Sequence, residues 1–303
     1  MTKNLITALT IFALCGTLHA ADWYASTNGV GVGTNWATAG SLTGMVAGAA
    51  SGDVVNVSNG TYVVNLTVGG GVTVRGKTGL PEDVILDGEA TGRVVTMAAS
   101  SWLVGCTVTN GYLEDADGVG VYGGLVSNSI ITGNTLNFIE GGGNGGAGIA
   151  YCTVYNSLII NNIAIGLNGG GGYDCTFLNS TITGNSADPG GGGYDCLFVN
   201  SISWDNSTAD YFSGSWTNSY SCGIGYAGVG SITNDPLFVS ASDFRLQAGS
   251  PCINTGTNGA WTAGARDLDG NQRIWPAGGT VDMGAYEYGS EPAYRLWHIW
   301  VKP

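Results

Sequence analysis

The 303-residue chain is rich in glycine and poor in basic residues, and both properties exclude classes of protein. Its 53 glycines argue against a helical domain, because each Gly lowers helix propensity by about 1 kcal/mol relative to Ala. Nine Lys and Arg against 22 Asp and Glu give a formal charge of −13. A nucleic-acid partner is therefore disfavoured, since such binding rests on cationic contacts to phosphate.

The first twenty residues have the layout of a secretory signal peptide. Lys3 precedes an apolar run over residues 5–18, and His19-Ala20-Ala21 follows as the cleavage site. The run is too short to span a membrane, and we expect no transmembrane segment in the mature chain. We therefore expect residues 1–20 to be removed and the protein to be secreted or held at the cell surface. Six cysteines then remain, an even number that permits disulfides outside the cytoplasm.

A short amphipathic helix is predicted near residues 41–50, and after it the chain begins to repeat itself. Asn-Ser pairs mark the repeats and recur 28, 23 and 21 residues apart. Repeats of this length that are rich in Gly, Asn and β-branched residues indicate stacked supersecondary units. The anchoring residues are Asn128, Asn156, Asn179 and Asn200, with Asn110 and Asn218 as further outer members.

Residues before each anchor alternate between apolar and mixed types, as in a strand with one face inward. Ile131, Ile159 and Ile182 indicate a second short strand in each coil. Parallel strands of successive coils lie about 4.8 Å apart, so like residues would form ladders inside one core. This predicts an all-β solenoid of roughly eight coils. Two positions before each anchor, the inward ladder would contain Val108, Val126, Val154, Phe177 and Phe198. Four positions before each anchor, it would contain Cys106, Gly124, Cys152, Cys175 and Cys196.

The repeated asparagines and cysteines are better explained by structure than by chemistry. Asn tolerates the left-handed backbone, so the anchors are predicted to be corner residues rather than ligands. Stacked cysteines in parallel strands point the same way, which suits small buried side chains and not disulfides. Cys222 and Cys252 fall outside the ladder and are the better disulfide candidates.

Several motifs resemble right-handed parallel β-helix proteins of the pectate-lyase-like superfamily. GDVVNVSNGTY (52–62) and VTVRGKTGLPEDVILDG (72–88) are similar to the opening coils of that group. NDPLFVSASDFRLQAGSPCINTG (234–256), DLDGNQRI (267–274) and VDMGAYEY (281–288) resemble its choice-of-anchor Q closing region. The resemblance implies a right-handed β-helix over 21–234 with an N-terminal cap, a closing region over 235–288 and a tail over 289–303.

The resemblance also implies an activity, because the superfamily includes polysaccharide lyases that use an Arg or Lys base and usually Ca²⁺. No Lys or Arg occurs between Arg93 and Arg245, so the central coils lack such a base. Arg75, Lys77 and Arg93 lie near the start, where surface or cap roles are the favoured interpretation.

Two carboxylates recur at the same place in adjacent coils and are the candidates for catalysis. Asp174 and Asp195 precede Cys175 and Cys196, so by alternation they are expected to face outward, about one strand spacing apart. Such a pair can share a proton, hold a cation or serve as the acid and base of a glycoside hydrolase. The favoured interpretation is nevertheless a pair of solvated aspartates.

A second acidic stretch suggests calcium. Asp267, Asp269 and Asn271 supply oxygen atoms, but their spacing departs from the EF-hand loop, so they are weak metal candidates. A tight turn stabilised by the Asp and Asn side chains, paired with Arg273, is favoured.

Aromatic residues concentrate after the last repeat, among Asp and Asn. Such surroundings suit sugar rings, whose faces stack while their hydroxyls take hydrogen bonds. The alternative is that some of these aromatics fill a wider coil or pack a loop onto the helix. The predicted ligand-binding residues are Trp204, Asp205, Tyr211 and Trp216.

The preferred function is an exported, non-catalytic β-helix scaffold that binds polysaccharide or a cell-surface glycan, or acts as a surface or adhesion protein. The alternative is a polysaccharide-degrading enzyme, a carboxylate-dependent hydrolase or, less favoured, a lyase.

Overall fold

The fold is a stack of parallel strands, which confirms the predicted β-helix. The structure is a computed structural model that describes residues 20–140, 144–210, 218–225, 228–262 and 264–290. Its parallel strands form sheets A, B, C and D, with eight, seven, six and three strands. The eight strands of sheet A agree with the predicted number of coils. Residues 1–19, on which the predicted signal peptide falls, lie outside the described residues.

Each coil contributes short strands to the sheets in turn. Sheet A contains Asp22–Ala25, Val54–Val57, Thr73–Gly76, Trp102–Val104, Leu125–Ser127, Thr153–Tyr155, Thr176–Leu178 and Leu197–Val199. Sheet B contains Gly60–Val63, Val84–Asp87, Thr107–Thr109, Ile130–Thr132, Leu158–Ile160, Thr181–Thr183 and Ile202–Trp204. Sheet C contains Leu66–Val68, Val95–Met97, Val121–Tyr122, Ile149–Ala150, Gly172–Tyr173 and Gly193–Tyr194, and sheet D contains Tyr112–Glu114, Thr135–Asn137 and Ile163–Ile165.

Helices and the last strands lie outside the stack. One α-helix, Leu42–Gly48, and two 3₁₀ helices, Trp36–Thr38 and Pro81–Asp83, are present in the described ranges. Phe238–Ser240 and Asp243–Leu246 pair antiparallel as a C-terminal hairpin. Within the part of the chain that the structure describes, no helix has the length and apolar character needed to cross a bilayer.

The α-helix is the predicted N-terminal cap. The side chain of Ser41 begins it by accepting a hydrogen bond from the Gly44 amide at 3.2 Å. Leu42 and Val46, four residues apart and thus on one face, are buried against the first coils. The helix therefore covers apolar residues at the start of the stack.

The inward ladders are confirmed for the central coils. Val126, Val154, Phe177 and Phe198 are in register along sheet A and are fully buried. The rings of Phe177 and Phe198 stack with their centroids 5.0 Å apart. The predicted sheet B residues Ile131, Ile159 and Ile182 form a second buried ladder.

The anchoring asparagines are corner residues, as predicted. Asn128, Asn156, Asn179 and Asn200 have φ between 47° and 52°, the left-handed region that Asn tolerates. They turn the chain from sheet A into sheet B.

The outer anchor Asn110 was predicted in the wrong register. Val108 pairs with Ile131 in sheet B, so Asn110 lies one sheet later in its coil than Asn128 does. Gly105, with φ 65°, occupies the equivalent corner, because Gly adopts the left-handed backbone as readily as Asn. Cys106 consequently lies outside the cysteine ladder.

The outer anchor Asn218 was also wrong. Ser219 bridges to Val199, so Asn218 lies opposite Phe198, whose backbone amide donates to Asn218 Oδ1 at 3.1 Å. Tyr220, with φ 49°, takes the corner position instead. The sequence could not show this, because the last partial coil has its own spacing.

A second asparagine ladder is fully enclosed and ties neighbouring coils together. The Asn134 amide nitrogen donates to Asn162 Oδ1 at 2.9 Å, and Asn162 and Asn185 continue the chain at 3.0 Å each. It ends where Asn206 Nδ2 donates to the buried carboxylate of Asp210. Each side-chain amide in the ladder therefore makes hydrogen bonds to the next coil as well as to its own coil.

The glycine-rich segments allow the backbones of adjacent coils to approach closely. A methyl group on Gly171 would lie 2.3 Å from the carbonyl oxygen of Gly192, and one on Gly148 would lie 2.5 Å from that of Gly171. No other residue fits this column, since real Cβ contacts of that length do not occur.

Residues 252–288 lie along the outside of several coils. Asn128 donates to the Asp267 carbonyl at 3.1 Å, Ala285 donates to Thr181 Oγ1 at 3.0 Å, and Asn200 Nδ2 donates to the Thr257 carbonyl at 2.8 Å. Apolar contacts join Leu268, Ala285 and Tyr286 to Leu158 and Ile160 on the outer face of sheet B. This cover explains why that outward face is apolar.

Candidate functional site

A cleft opens where the last strand of sheet B meets the C-terminal hairpin. It has a volume of about 420 Å³, within the size range of small-ligand sites. We call it the Trp204 cleft, and its lining includes Trp204, Asp205, Asp235, Phe238, Phe244 and Gln247.

Trp204 lines this cleft and also packs where the C-terminal segment meets the outer face of sheet B. It points outward from sheet B, in register with Thr183. The side chain is half-buried against a cluster that contains Ile202, Cys222 and Met283. Trp204 thus has features of both alternatives, because it lines a cleft and also helps to pack a later segment onto the coils.

The polar residues of the cleft come from tight turns. Asp205 ends the strand with φ 56° and is exposed. Asp235 accepts a hydrogen bond from the Leu237 amide at 2.8 Å, and Gln247 donates to the Phe238 carbonyl at 2.6 Å. Oxygen atoms therefore line the rim of a partly aromatic cleft. The other two predicted ligand residues, Tyr211 and Trp216, lie outside the described residues.

Asp174 and Asp195 lie at equivalent positions of adjacent coils, as their spacing suggests. Asp174 N donates to the Tyr194 carbonyl at 3.0 Å, and both aspartates have left-handed backbones, with φ 48° and 56°. They are corner residues between sheets C and A, not members of the strand that begins at Thr176. Asp174 is exposed and Asp195 half-buried, so their outward direction comes from this corner and not from alternation within a strand.

Although Asp174 is exposed, partial desolvation raises the pKa of its carboxyl, and the neighbouring Cys175 and Asp195 raise it further. A carboxyl group with a raised pKa beside a second carboxylate is the arrangement of a general acid and its partner.

The Trp204 cleft and the aspartate corner lie on different parts of the coil. Asp195 precedes the sheet A strand Leu197–Val199, whereas Trp204 and Asp205 follow the sheet B strand. One complete sheet A strand and the Asn200 corner separate them along the coil. They are consequently two candidate sites and not one row.

An aromatic row beside the aspartate corner was not predicted. Tyr122, Tyr151, Tyr173 and Tyr194 contact one another over four coils, with centroid separations of 5.3, 5.7 and 5.7 Å. The repeated Gly-Tyr-Asp-Cys contained the signal for the last two. Tyr151 is displaced by one position relative to the others, which hides the row in the sequence.

The predicted calcium residues form a turn in which most oxygen atoms are already engaged. Asp267 is buried and accepts hydrogen bonds from the Asn271 amide at 2.7 Å and the Glu287 amide at 3.0 Å. Asp269 forms a bidentate ion pair with Arg245 at 2.6 and 2.7 Å. The stretch therefore folds as the tight turn that was the favoured interpretation.

Arg273 lies fully buried behind this turn. Its Nη2 donates to the Gly284 carbonyl at 2.6 Å, and the carboxyl groups of Glu287, Asp267 and Asp282 lie around it. Burial, and then the Asp282 carboxylate, raise the pKa of Glu287 to about 8. These groups hold residues 252–288 together.

The early basic residues are held in place by neighbours. Arg75 Nη2 donates to Asn56 Oδ1 at 2.9 Å, and the Lys77 ammonium lies 4.7 Å from the Trp36 ring. Arg93 donates to the Asp117 and Gly118 carbonyls and stacks over Tyr122. Arg75, Lys77 and Trp36 also line an open cleft of about 430 Å³ near the N-terminal cap.

Among the residues that the structure describes, no group of three or more His, Cys, Asp or Glu side chains has an arrangement that could hold a metal ion. No family model matches the chain, and no curated protein matches it. Among solved structures the chain is similar to the crystal structure of pectate lyase Pel9A, at 14% identity and a TM-score of 0.39, over 88% of this chain and 96% of that one. This similarity assigns no activity to the chain.

Proposed function

We propose that the protein is an exported, non-catalytic β-helix that binds neutral polysaccharide or cell-surface glycan through the Trp204 cleft. The observation that supports it is the meeting of aromatic walls and oxygen-bearing side chains at this cleft. Trp204, Phe238 and Phe244 offer apolar surface, while Asp205 and Gln247 lie at the rim. Sugars need both kinds of contact.

The charge of the lining favours an uncharged ligand. Asp205 and Asp235 both line the cleft, and its described lining contains no Lys or Arg. A uronate chain would meet repulsion there, whereas the hydroxyls of a neutral sugar can donate to the carboxylates. The predicted signal peptide supports a location outside the cytoplasm.

The alternative is a glycan-hydrolysing enzyme that acts at the aspartate corner. The specific observation in its favour is the raised pKa of Asp174 beside Asp195. Hydrolysis with two carboxyl groups requires one protonated and one ionised partner, and the raised pKa of Asp174 favours its protonated form.

A matched pair of glycine substitutions separates these two functions. Asp195 and Asp205 have the same φ, 56°, so Gly fits either backbone and each substitution removes only a side chain. We expect Asp205→Gly to weaken binding of neutral xylo- and manno-oligosaccharides about tenfold by calorimetry, since one charged hydrogen bond contributes about 1.5 kcal/mol. Asp195→Gly should leave the affinity unchanged.

Three further results complete the test. Polygalacturonate oligomers should bind more weakly than the neutral panel, and circular dichroism should be the same for both variants. Equal affinities of the Asp205→Gly variant and the parent would refute the cleft assignment. Release of reducing ends that disappears in Asp195→Gly would instead establish the hydrolase.

A further inference from the structure

Two buried cysteines meet at the base of the hairpin that forms one wall of the Trp204 cleft. Cys222 follows the last coil and bridges to Ile202 of sheet B. Cys252 lies 30 positions later, where its carbonyl accepts a hydrogen bond from the Met283 amide at 3.0 Å. Both side chains are fully buried in one cluster with Ile202 and Met283.

The two thiols also contact each other. A hydrogen bond with the Cys252 thiol, and then burial, raise the pKa of the Cys222 thiol. Cys222 Sγ itself lies 3.1 Å from the Asn234 carbonyl oxygen, to which it donates. All six described cysteines are free thiols in this structure.

The cysteine ladder differs from this pair in geometry. Cys152, Cys175 and Cys196 stand in the same place on successive coils, and each donates to the carbonyl two residues earlier at 3.2 to 3.3 Å. Their side chains are thus oriented alike, in parallel strands. Neighbouring ladder thiols also contact one another, but each stands just before a strand of the same sheet and points the same way as the next, which is poor geometry for a disulfide. Cys222 bridges to Ile202 and Ile232, whereas Cys252 lies in a turn outside the sheets, so this orientation in parallel does not apply to the pair.

The chain between the two cysteines contains the hairpin Phe238–Ser240 and Asp243–Leu246. Phe238, Phe244 and Gln247 of this stretch line the cleft. A bond between Cys222 and Cys252 would close the stretch into a loop whose two ends are fixed against the last coil. Closing a loop reduces the conformations open to the chain within it.

We infer that Cys222 and Cys252 form a thiol–disulfide site that fastens the hairpin wall of the cleft. Exchange with a disulfide donor, such as an oxidoreductase disulfide outside the cytoplasm or oxidised glutathione, would form the Cys222–Cys252 S–S bond. The two thiols lose two protons and two electrons, and the donor disulfide takes them up as two thiols. The pairing stands apart from glycan binding; only its effect on the cleft rests on the proposed function.

The pairing is tested on the mature chain incubated with oxidised or reduced glutathione. After unfolding, free thiols are alkylated and located by peptide mass spectrometry. We expect the peptides of Cys222 and Cys252 to be joined after oxidation while the other four cysteines are alkylated. Opening by brief warming below the melting temperature gives the donor access to the buried pair. Full alkylation of Cys222 and Cys252 after that treatment would overturn the inference.

Thermal unfolding and binding give independent measurements. Oxidation should raise the melting temperature by about 7 °C, as expected for a closed loop of about 30 residues in a chain of this size. Cys252→Ala should abolish the shift between oxidised and reduced samples, whereas Cys106→Ala, also fully buried, should retain it. The disulfide should slow oligosaccharide dissociation from the cleft. If the bond forms and no sugar binds, the proposed function fails and the pairing stands.

Discussion

Phe177 offers the sharpest test of the inward and outward assignment of the coils. Its side chain is fully buried and stacks on Phe198 with centroids 5.0 Å apart, while Leu178, the next residue, is only half-buried on the outer face. Removing a core Phe costs about 3 to 5 kcal/mol, and loss of the aromatic pair places Phe177→Ala toward the upper end. Leu178→Ala should cost about 1 kcal/mol.

The assay is thermal unfolding of the mature chain by calorimetry and circular dichroism. For a chain of this size, Phe177→Ala should lower the melting temperature by about 10 °C and Leu178→Ala by about 3 °C. A double-mutant cycle with Phe198→Ala should show a coupling of about 1 kcal/mol, because stacked rings on adjacent coils interact directly. Equal shifts for the two single variants would refute the assignment of faces.

Three further predictions concern the spaces, the amides and the charges of the fold. Gly171→Ala should destabilise the fold by several kcal/mol, because the added methyl group would lie 2.3 Å from a backbone oxygen. Gly69→Ala is the control, since nothing lies within 4 Å of a methyl group there. Similar melting temperatures for the two variants would contradict the close approach of the coils at Gly171. Asn162→Ala should cost about 3 kcal/mol in denaturant unfolding, since it leaves buried groups of two neighbouring coils without partners; a change below about 0.5 kcal/mol would show that the ladder is dispensable. Glu287 has a folded pKa of about 8 against an ordinary 4.5, so its contribution to stability is fully present below pH 4.5 and is lost as the pH rises through 8. The melting temperature should therefore fall between pH 5 and pH 9, and Glu287→Gln should flatten the curve; an unchanged slope in that variant would assign the pH dependence elsewhere.

The repeats made the core of this fold predictable. Residues equivalent to Phe177, Asn179 and Ile182 recur in successive coils, because each coil must lie on the previous one. The same requirement selects apolar residues at inward positions and residues that tolerate a left-handed backbone at the corners. Where the spacing changes, the prediction fails. Asn110 and Asn218 were placed in the wrong register, since a Gly or a Tyr can occupy a corner as well as an Asn.

The candidate site was less predictable, for a physical reason. Trp204 and Asp205 were identified from composition, but their partners Asp235, Phe244 and Gln247 come from a segment that follows no repeat. Its docking is decided by contacts between sheet B and residues 30 or more positions away in the chain, and a single sequence contains no periodic signal for these.

The division between ladder and non-ladder residues bears on where function can reside. A ladder position is constrained by the coils on both sides, so changing Gly171 or Asn162 disturbs neighbours as well as itself. The hairpin and the segment that follows it are not constrained by coils on both sides, because they contact the stack from outside. The hairpin can therefore vary while the coils stay in register. A β-helix can therefore acquire or alter a ligand site by changing this outer segment, provided that its base stays attached. The contacts of Cys252, Thr257 and Ala285 with the coils provide that attachment, which is why the fastening and the cleft occur together.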